Sequence, residues 1–212
     1  MRKKYKAFLM IGPPGSGKGT QGRALQKSRL VFHCSCGEVF RSLDEQSDIG
    51  KLFHSHAKKG RLVPDEVAVV VWLDHIRRNE TEGKFYPNAE YLLLDGIPRN
   101  ANQATLLSEH VEVIGVLVLD GITNDELTSR LRRRAMQERR EDDASDKTIQ
   151  HRLVGYERET KALLTQYPPD LVCQIYANAS PESVFDEITR HIMNKLKSVI
   201  ALKHNTSLIA SD

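Results

Sequence analysis

The chain is poor in cysteine and aromatic residues, carries little net charge, and has no apolar run long enough to cross a bilayer. Its three cysteines, Cys34, Cys36 and Cys173, are odd in number and badly spaced, which excludes a disulfide framework and fits a reducing compartment. No second cysteine or histidine pair stands at zinc-ligand spacing from Cys34 and Cys36, so a zinc site is not expected. The apolar segment after Met1-Arg2-Lys3-Lys4 reaches glycine after about six residues, too few for an export signal. A cytoplasmic protein is expected. A formal charge of +3 gives no reason to expect nucleic acid or a membrane as partner. The one strongly basic run, Arg130-Leu131-Arg132-Arg133-Arg134 with Arg139 and Arg140, has no interleaved aromatic rings on which bases could stack.

What is present is an alternation of short apolar runs with amphipathic helical patterns, the signature of an α/β fold built on a parallel sheet. The candidate strands are Lys6 to Ile11, Val31 to Ser35, Tyr91 to Asp95, Val113 to Asp120 and Val172 to Ala177. Between the first strand and a helical segment lies Gly12-Pro13-Pro14-Gly15-Ser16-Gly17-Lys18-Gly19-Thr20. A strand that turns through glycines into a helix directs consecutive backbone N–H groups and the positive end of the helix dipole into one small volume, which suits a phosphate. Lys18 adds a mobile positive charge. This is a Walker-type phosphate loop with one departure: Gly19 intervenes between the lysine and the hydroxyl of Thr20.

From Cys36 to about Asp65 the chain is more polar and helical, with starts near Gly37 and Asp48 and a break at Gly60, as in a small helical flap able to close over a substrate. Tyr91 to Asp95 ends on a carboxylate. At the carboxyl end of a parallel strand Asp95 either holds water molecules around a magnesium ion or caps the next helix. The following Gly96-Ile97-Pro98-Arg99, a rigid turn whose guanidinium can grip a phosphate, favours the first reading. Arg130 and Arg134 fall on one helical face. The short polar segment after them leads to Arg140-Glu141-Asp142-Asp143 and to a helix resuming near Lys147, which reads as a lid or, more blandly, as a solvated charged face. Ser180 and Pro181 can cap and open a last helix whose stripe of Val184, Phe185, Ile188, Ile192 and Leu196 belongs in the core. From Lys203 a loose tail is expected.

These motifs resemble the adenylate kinases of the nucleoside monophosphate kinase family, over about Lys6 to Ile192. Gly12 to Gln21 matches that family's phosphate loop, including the Gly-Thr after the lysine. Asp95-Gly96-Ile97-Pro98-Arg99 is similar to its Asp-Gly-Phe-Pro-Arg signature, and Arg140-Glu141-Asp142-Asp143 to its Arg-x-Asp-Asp lid motif. The resemblance implies a P-loop NTPase fold with a five-stranded parallel sheet in a single domain, 1–212. Its core would comprise 1–35, 65–132 and 144–202, with an NMP-binding flap at 36–64, a short lid without zinc at 133–143 and a tail at 203–212.

The resemblance also implies the reversible, magnesium-dependent transfer of a phosphoryl group from ATP to AMP. Gly15, Ser16, Gly17, Lys18, Gly19 and Thr20 would hold the donor's phosphates, with Arg130 and Ser180 near its base. Arg134 and Arg140 would clamp the transferred group. Arg41 and Arg99 would bind the acceptor's phosphate, on the turn formed by Gly96, Ile97 and Pro98, with Arg152 between the two nucleotides. Gln103 would read the acceptor's base, and Arg61, Leu62, Val63 and Cys36 would line its pocket. Lys18, Arg99, Arg134, Arg140 and Arg152 are the expected catalytic residues, and Asp95 the water-mediated magnesium ligand. Cys36 stands where adenylate kinases usually have threonine, and Asn100 is more like the pyrimidine enzymes, so UMP or CMP is the alternative acceptor. A non-catalytic ATP-binding regulatory module is the alternative of another class. A monomer is expected.

Overall fold

The computed structural model describes residues 4–138, 143 and 145–209. Strand β1 (Tyr5–Ile11) lies at the centre of a parallel sheet, paired with β3 (Tyr91–Asp95) on one side and β4 (Val111–Asp120) on the other. Outside these run β2 (Val31–Ser35) and β5 (Val172–Tyr176), giving the order β2-β3-β1-β4-β5. The connections therefore part on either side of β1, and such a switch point opens a crevice at the carboxyl ends of the strands. In register Asp95 stands level with Met10 of β1 and Ser35 of β2.

The apolar run in β1 explains its central place. Ala7, Leu9 and Ile11 face one layer, where they join Trp72, Ile76 and Leu107, while Phe8 and Met10 face the other, with Leu25, Val184 and Ile188. A strand buried on both faces needs no polar alternation. Each fully buried Leu or Ile contributes about 1.5–3 kcal/mol of transfer free energy.

Eight helices are described: α1 (Lys18–Gln26), α2 (Cys36–Arg41), α3 (Asp48–Ala57), α4 (Asp65–Thr81), α5 (Ala101–Ser108), α6 (Asn124–Glu138), α7 (Asp146–Leu164) and α8 (Pro181–Ile209). Their starts follow capping chemistry. Ser47 Oγ accepts from Gly50 N at 3.0 Å, Asn100 Oδ1 from Gln103 N at 2.8 Å, Ser145 Oγ from Thr148 N at 3.1 Å and Ser180 Oγ from Ser183 N at 3.2 Å. Helices α2 and α3 occupy the segment expected to be the flap, between β2 and α4, while α6 and α7 stand on either side of the expected lid in sequence and pack through Leu127, Leu131, Ile149 and Leu153.

Some boundaries differ from the sequence reading. Helix α8 continues to Ile209, through the segment read as a loose tail. Helix α6 continues through Glu138, so the first half of the lid segment is helical. Strand β4 begins at Val111, paired with Tyr5. Among the described residues no helix is long and apolar enough to cross a membrane.

Candidate active site

The glycine loop leaves β1 at Ile11 and enters α1 through Gly15 and Gly17, at φ 86° and 95°, a backbone region that residues with a Cβ seldom occupy. A side chain at Gly12 would stand 2.7 Å from the Leu119 carbonyl oxygen, so the loop packs down on β4 only because none is present. Lys18 folds back across this loop. Its Nζ donates to the carbonyl oxygens of Gly12 at 2.7 Å and Pro13 at 3.0 Å, and lies 3.4 Å from Ser16 Oγ. Burial lowers the Lys18 ammonium to about 8; Asp95 opposes that shift, and Arg99, Arg134 and Arg152 reinforce it.

Asp95 ends β3 beside the loop and is nearly buried. Burial alone would raise its pKa, but His33 and Lys18 outweigh that and hold the carboxyl below the usual range. His33 Nε2 sits 3.6 Å from Asp95 Oδ2, too long for a hydrogen bond and close enough for electrostatic contact. No function was legible for this histidine in the sequence. Its register on β2, two residues before Ser35 and the level of Asp95, is the signal that only strand pairing supplies.

Beyond Asp95 the chain turns, and Arg99 Nε donates to the Gly96 carbonyl at 2.8 Å. From the lid side, Arg134 on α6 donates to Asp143 Oδ2 through Nε at 2.8 Å and Nη2 at 2.5 Å, and Arg152 on α7 donates to Asp143 Oδ1. The Asp143 side chain is fully buried. It therefore ties two arginines from different helices into one rigid unit, a role that its place in the lid motif did not reveal. Arg130 is paired with Glu126 at 2.7 Å.

These groups surround one cavity of about 900 Å³, toward the upper end of the range for small-molecule sites. Gly15 to Thr20, Asp95, Arg99, Arg130, Arg134 and Arg152 line it, and Arg41, Arg61, Leu62, Gly96 and Pro98 line its flap end. Arg23 and His151, not singled out from sequence, are also in its wall, as is Arg133 of the basic run.

Other expected residues are not part of that wall. Cys36 and Ile97 are buried, Val63 packs against the core, and Ser180 spends its hydroxyl on the α8 cap. Burial pushes the Cys36 thiol up to about 11, although Arg99 pulls the other way, so it stays protonated. Gln103 is buried with both ends of its carboxamide bonded: Oε1 accepts from Arg99 N at 2.8 Å and Nε2 donates to Asp65 Oδ1 at 2.8 Å. Arg140, together with Arg139, Glu141 and Asp142, lies outside the described residues.

For a magnesium ion the chemistry fits. A single ionised carboxylate at the rim of a phosphate cradle, with Thr20 in the same wall, suits a cation that keeps most of its water and takes the rest of its ligands from phosphates. Among the described residues no cluster of three or more metal-ligating side chains competes for it.

A glycine loop at the switch point of a parallel sheet, faced by arginines from the flap, the β3 turn and both lid helices, defines a phosphotransferase of the P-loop nucleotide kinase class. Comparison with known proteins narrows the class. The adenylate kinase family model matches residues 10–170. The adenylate kinase of Streptomyces coelicolor is 31% identical, aligned over 90% of this chain and 98% of its own length. Those of Thermobifida fusca and Kocuria rhizophila are 33% and 34% identical, aligned over 90% of this chain and 97% and 98% of theirs. The chain belongs to the adenylate kinase family.

Proposed function

We propose that the enzyme transfers the terminal phosphoryl group of ATP to AMP, reversibly, giving two ADP, with ATP against the glycine loop and AMP beneath the flap. The observation that carries this reading is convergence. Lys18, Arg99, Arg134 and Arg152 reach one cavity from four elements, closely enough that the three guanidinium charges lower the proton affinity of the lysine. Asp143 and Asp95 offset part of this positive charge in the free site, and two polyanions placed end to end would neutralise the rest.

In phosphoryl transfer the protein chiefly positions the reactants and balances charge on the moving oxygens. Lys18 exchanges its two carbonyl partners for phosphate oxygens and follows the group as it moves. Arg134 and Arg152, fixed by Asp143, stand ready without reorganising, which is where electrostatic stabilisation is strongest. Arg99 and Arg41 orient the acceptor phosphate for in-line attack, and Arg140 completes the clamp from the lid. No side-chain nucleophile or covalent intermediate is required. Asp95 would hold a magnesium ion, which when bound would neutralise charge on the donor's phosphates. Closure of flap and lid excludes the water that would otherwise hydrolyse ATP. The enzyme acts as a cytoplasmic monomer.

The acceptor base is the adenine of AMP. Asn100, the residue that resembles the pyrimidine enzymes, spends its side chain capping α5 and donating to Asp65 at 2.9 Å, so its identity carries little weight for UMP or CMP. Assays with AMP, UMP, CMP and dTMP at equal concentration test this: AMP is the preferred acceptor, and a clear pyrimidine preference overturns it. A two-substrate inhibitor that bridges both sites binds far more tightly than ATP. Equal affinity for the two would favour a regulatory module.

A further inference from the structure

Asp65, the first residue of α4, stands where the flap rejoins the core, and three side-chain amides converge on it. Its Oδ1 accepts from Asn100 Nδ2 at 2.9 Å and from Gln103 Nε2 at 2.8 Å, and its Oδ2 from Asn102 Nδ2 at 2.9 Å. Burial pushes the carboxyl up, but the bonds from Asn102, Asn100 and Gln103 outweigh it and hold the group below the usual carboxylate range. It is therefore ionised at neutral pH and accepts only.

An accepting carboxylate fixes the sense of the Gln103 carboxamide, because Nε2 must face it. The opposite end then meets a group of equally fixed sense, the Arg99 backbone N–H, which can only donate. The relay runs Asp65 to Gln103 to Arg99 with no ambiguity of orientation. Asn100 repeats the pattern, its Nδ2 turned to Asp65 and its Oδ1 to the Gln103 N–H. Arg99 is the cavity-lining arginine of this turn, and its guanidinium lies against Gly96.

We propose that Asp65 is a positioning residue of the acceptor site: through the carboxamide of Gln103 it sets the place of the Arg99 backbone, and with it the grip on the acceptor's phosphate. The proposal rests on the assignment of Arg99 to the acceptor in the function given above. It predicts an effect confined to one substrate, because the side chains that bond Asp65 among the described residues, Asn100, Asn102 and Gln103, all lie outside the glycine loop.

The test measures KM for AMP, KM for ATP, kcat and melting temperature in the wild type, D65A and D65N. D65A raises KM for AMP about tenfold or more, the loss expected when charge-assisted hydrogen bonds are removed, and leaves KM for ATP within about twofold. D65N returns KM for AMP to within about threefold of wild type, because the amide oxygen still takes the bonds from Asn100 and Gln103 that meet at Oδ1. An unchanged KM for AMP in D65A, equal rises for both substrates, or no rescue by D65N overturns the proposal. Where D65A does not fold, Q103E sets two carboxylates against each other across the same link and raises KM for AMP. D65N/Q103E, in which the new amide at position 65 turns its nitrogen to the new carboxylate at position 103 and gives up the bond from Asn100, recovers it in part, by about threefold or more. No recovery overturns the proposal. A wild type without AMP-dependent turnover would instead sink the functional reading beneath it.

Discussion

His33 Nε2 lies 3.6 Å from Asp95 Oδ2, with 3% of the histidine side chain exposed and 10% of the aspartate. The imidazole fits between β2 and α1 only because residue 22 is glycine: a Cβ there would stand 2.3 Å from its ring atoms. Gly22→Ala should therefore force the ring off its place against Asp95. Overpacking of this kind costs about 1–3 kcal/mol. A fall in melting temperature of several degrees is expected, and an unchanged melting curve would show that the ring relaxes freely.

On the proposed mechanism, Lys18→Ala and Arg99→Ala each remove one charge that acts on the transferred group or on the acceptor phosphate. By analogy with the loss of an oxyanion-hole donor, each lowers turnover about a hundredfold or more while the protein stays folded. Steady-state kinetics beside circular dichroism would check this. Near-normal turnover in either variant removes that residue from the machinery.

The lysine also sets a pH dependence. In the folded protein it titrates at about 8, against 10.5 for an ordinary lysine, so over that window the unfolded chain binds more protons and this residue's contribution to stability rises with pH. Nucleotide binding has the opposite sign, since phosphates favour the ammonium form. Binding of ATP should take up a proton near pH 8 and weaken as pH rises through that value. Calorimetry in buffers of different ionisation enthalpy reads the uptake directly. Affinity that stays level up to about pH 9 with no proton uptake would contradict the assignment.

Asp143→Ala leaves Arg134 and Arg152 facing each other without their shared counter-charge. Loss of one partner from a buried ion pair costs about 3–5 kcal/mol, and partial exposure of both arginines places the loss at the lower end. Turnover should fall more than tenfold even well below the melting temperature, because arginines that must be re-ordered in the transition state stabilise it less. A variant that melts early yet turns over normally when cold would mean that Asp143 serves the fold alone.

Much of the fold was legible because the signals were local. β2 and β3 kept the bounds that their apolar runs suggested, and the cap at Ser180 follows from side-chain chemistry within three residues. The glycine loop and its lysine were readable for the same reason. What sequence did not give were meetings across distance. The histidine beside Asp95 comes from pairing of β2 with β3, and the bridge of Asp143 to two arginines from helix packing. The occupation of Gln103 by Asp65 and Arg99 depends on where two helix starts face each other. A side chain expected to read a base can be spent on its neighbours, and no one-dimensional pattern records that. The tail illustrates the converse, since few local cues distinguish a fraying end from the last turns of the long α8.

His151 on α7 places Nδ1 3.2 Å from the carbonyl oxygen of Gly60, at the end of the flap, and an oxygen that can only accept requires the hydrogen to sit on that nitrogen. The end of the segment expected to cover the acceptor is thus tied to α7, the helix that carries Arg152. Movement of the Gly60 end of that segment therefore stretches a contact to α7, so neither can shift without loading the other.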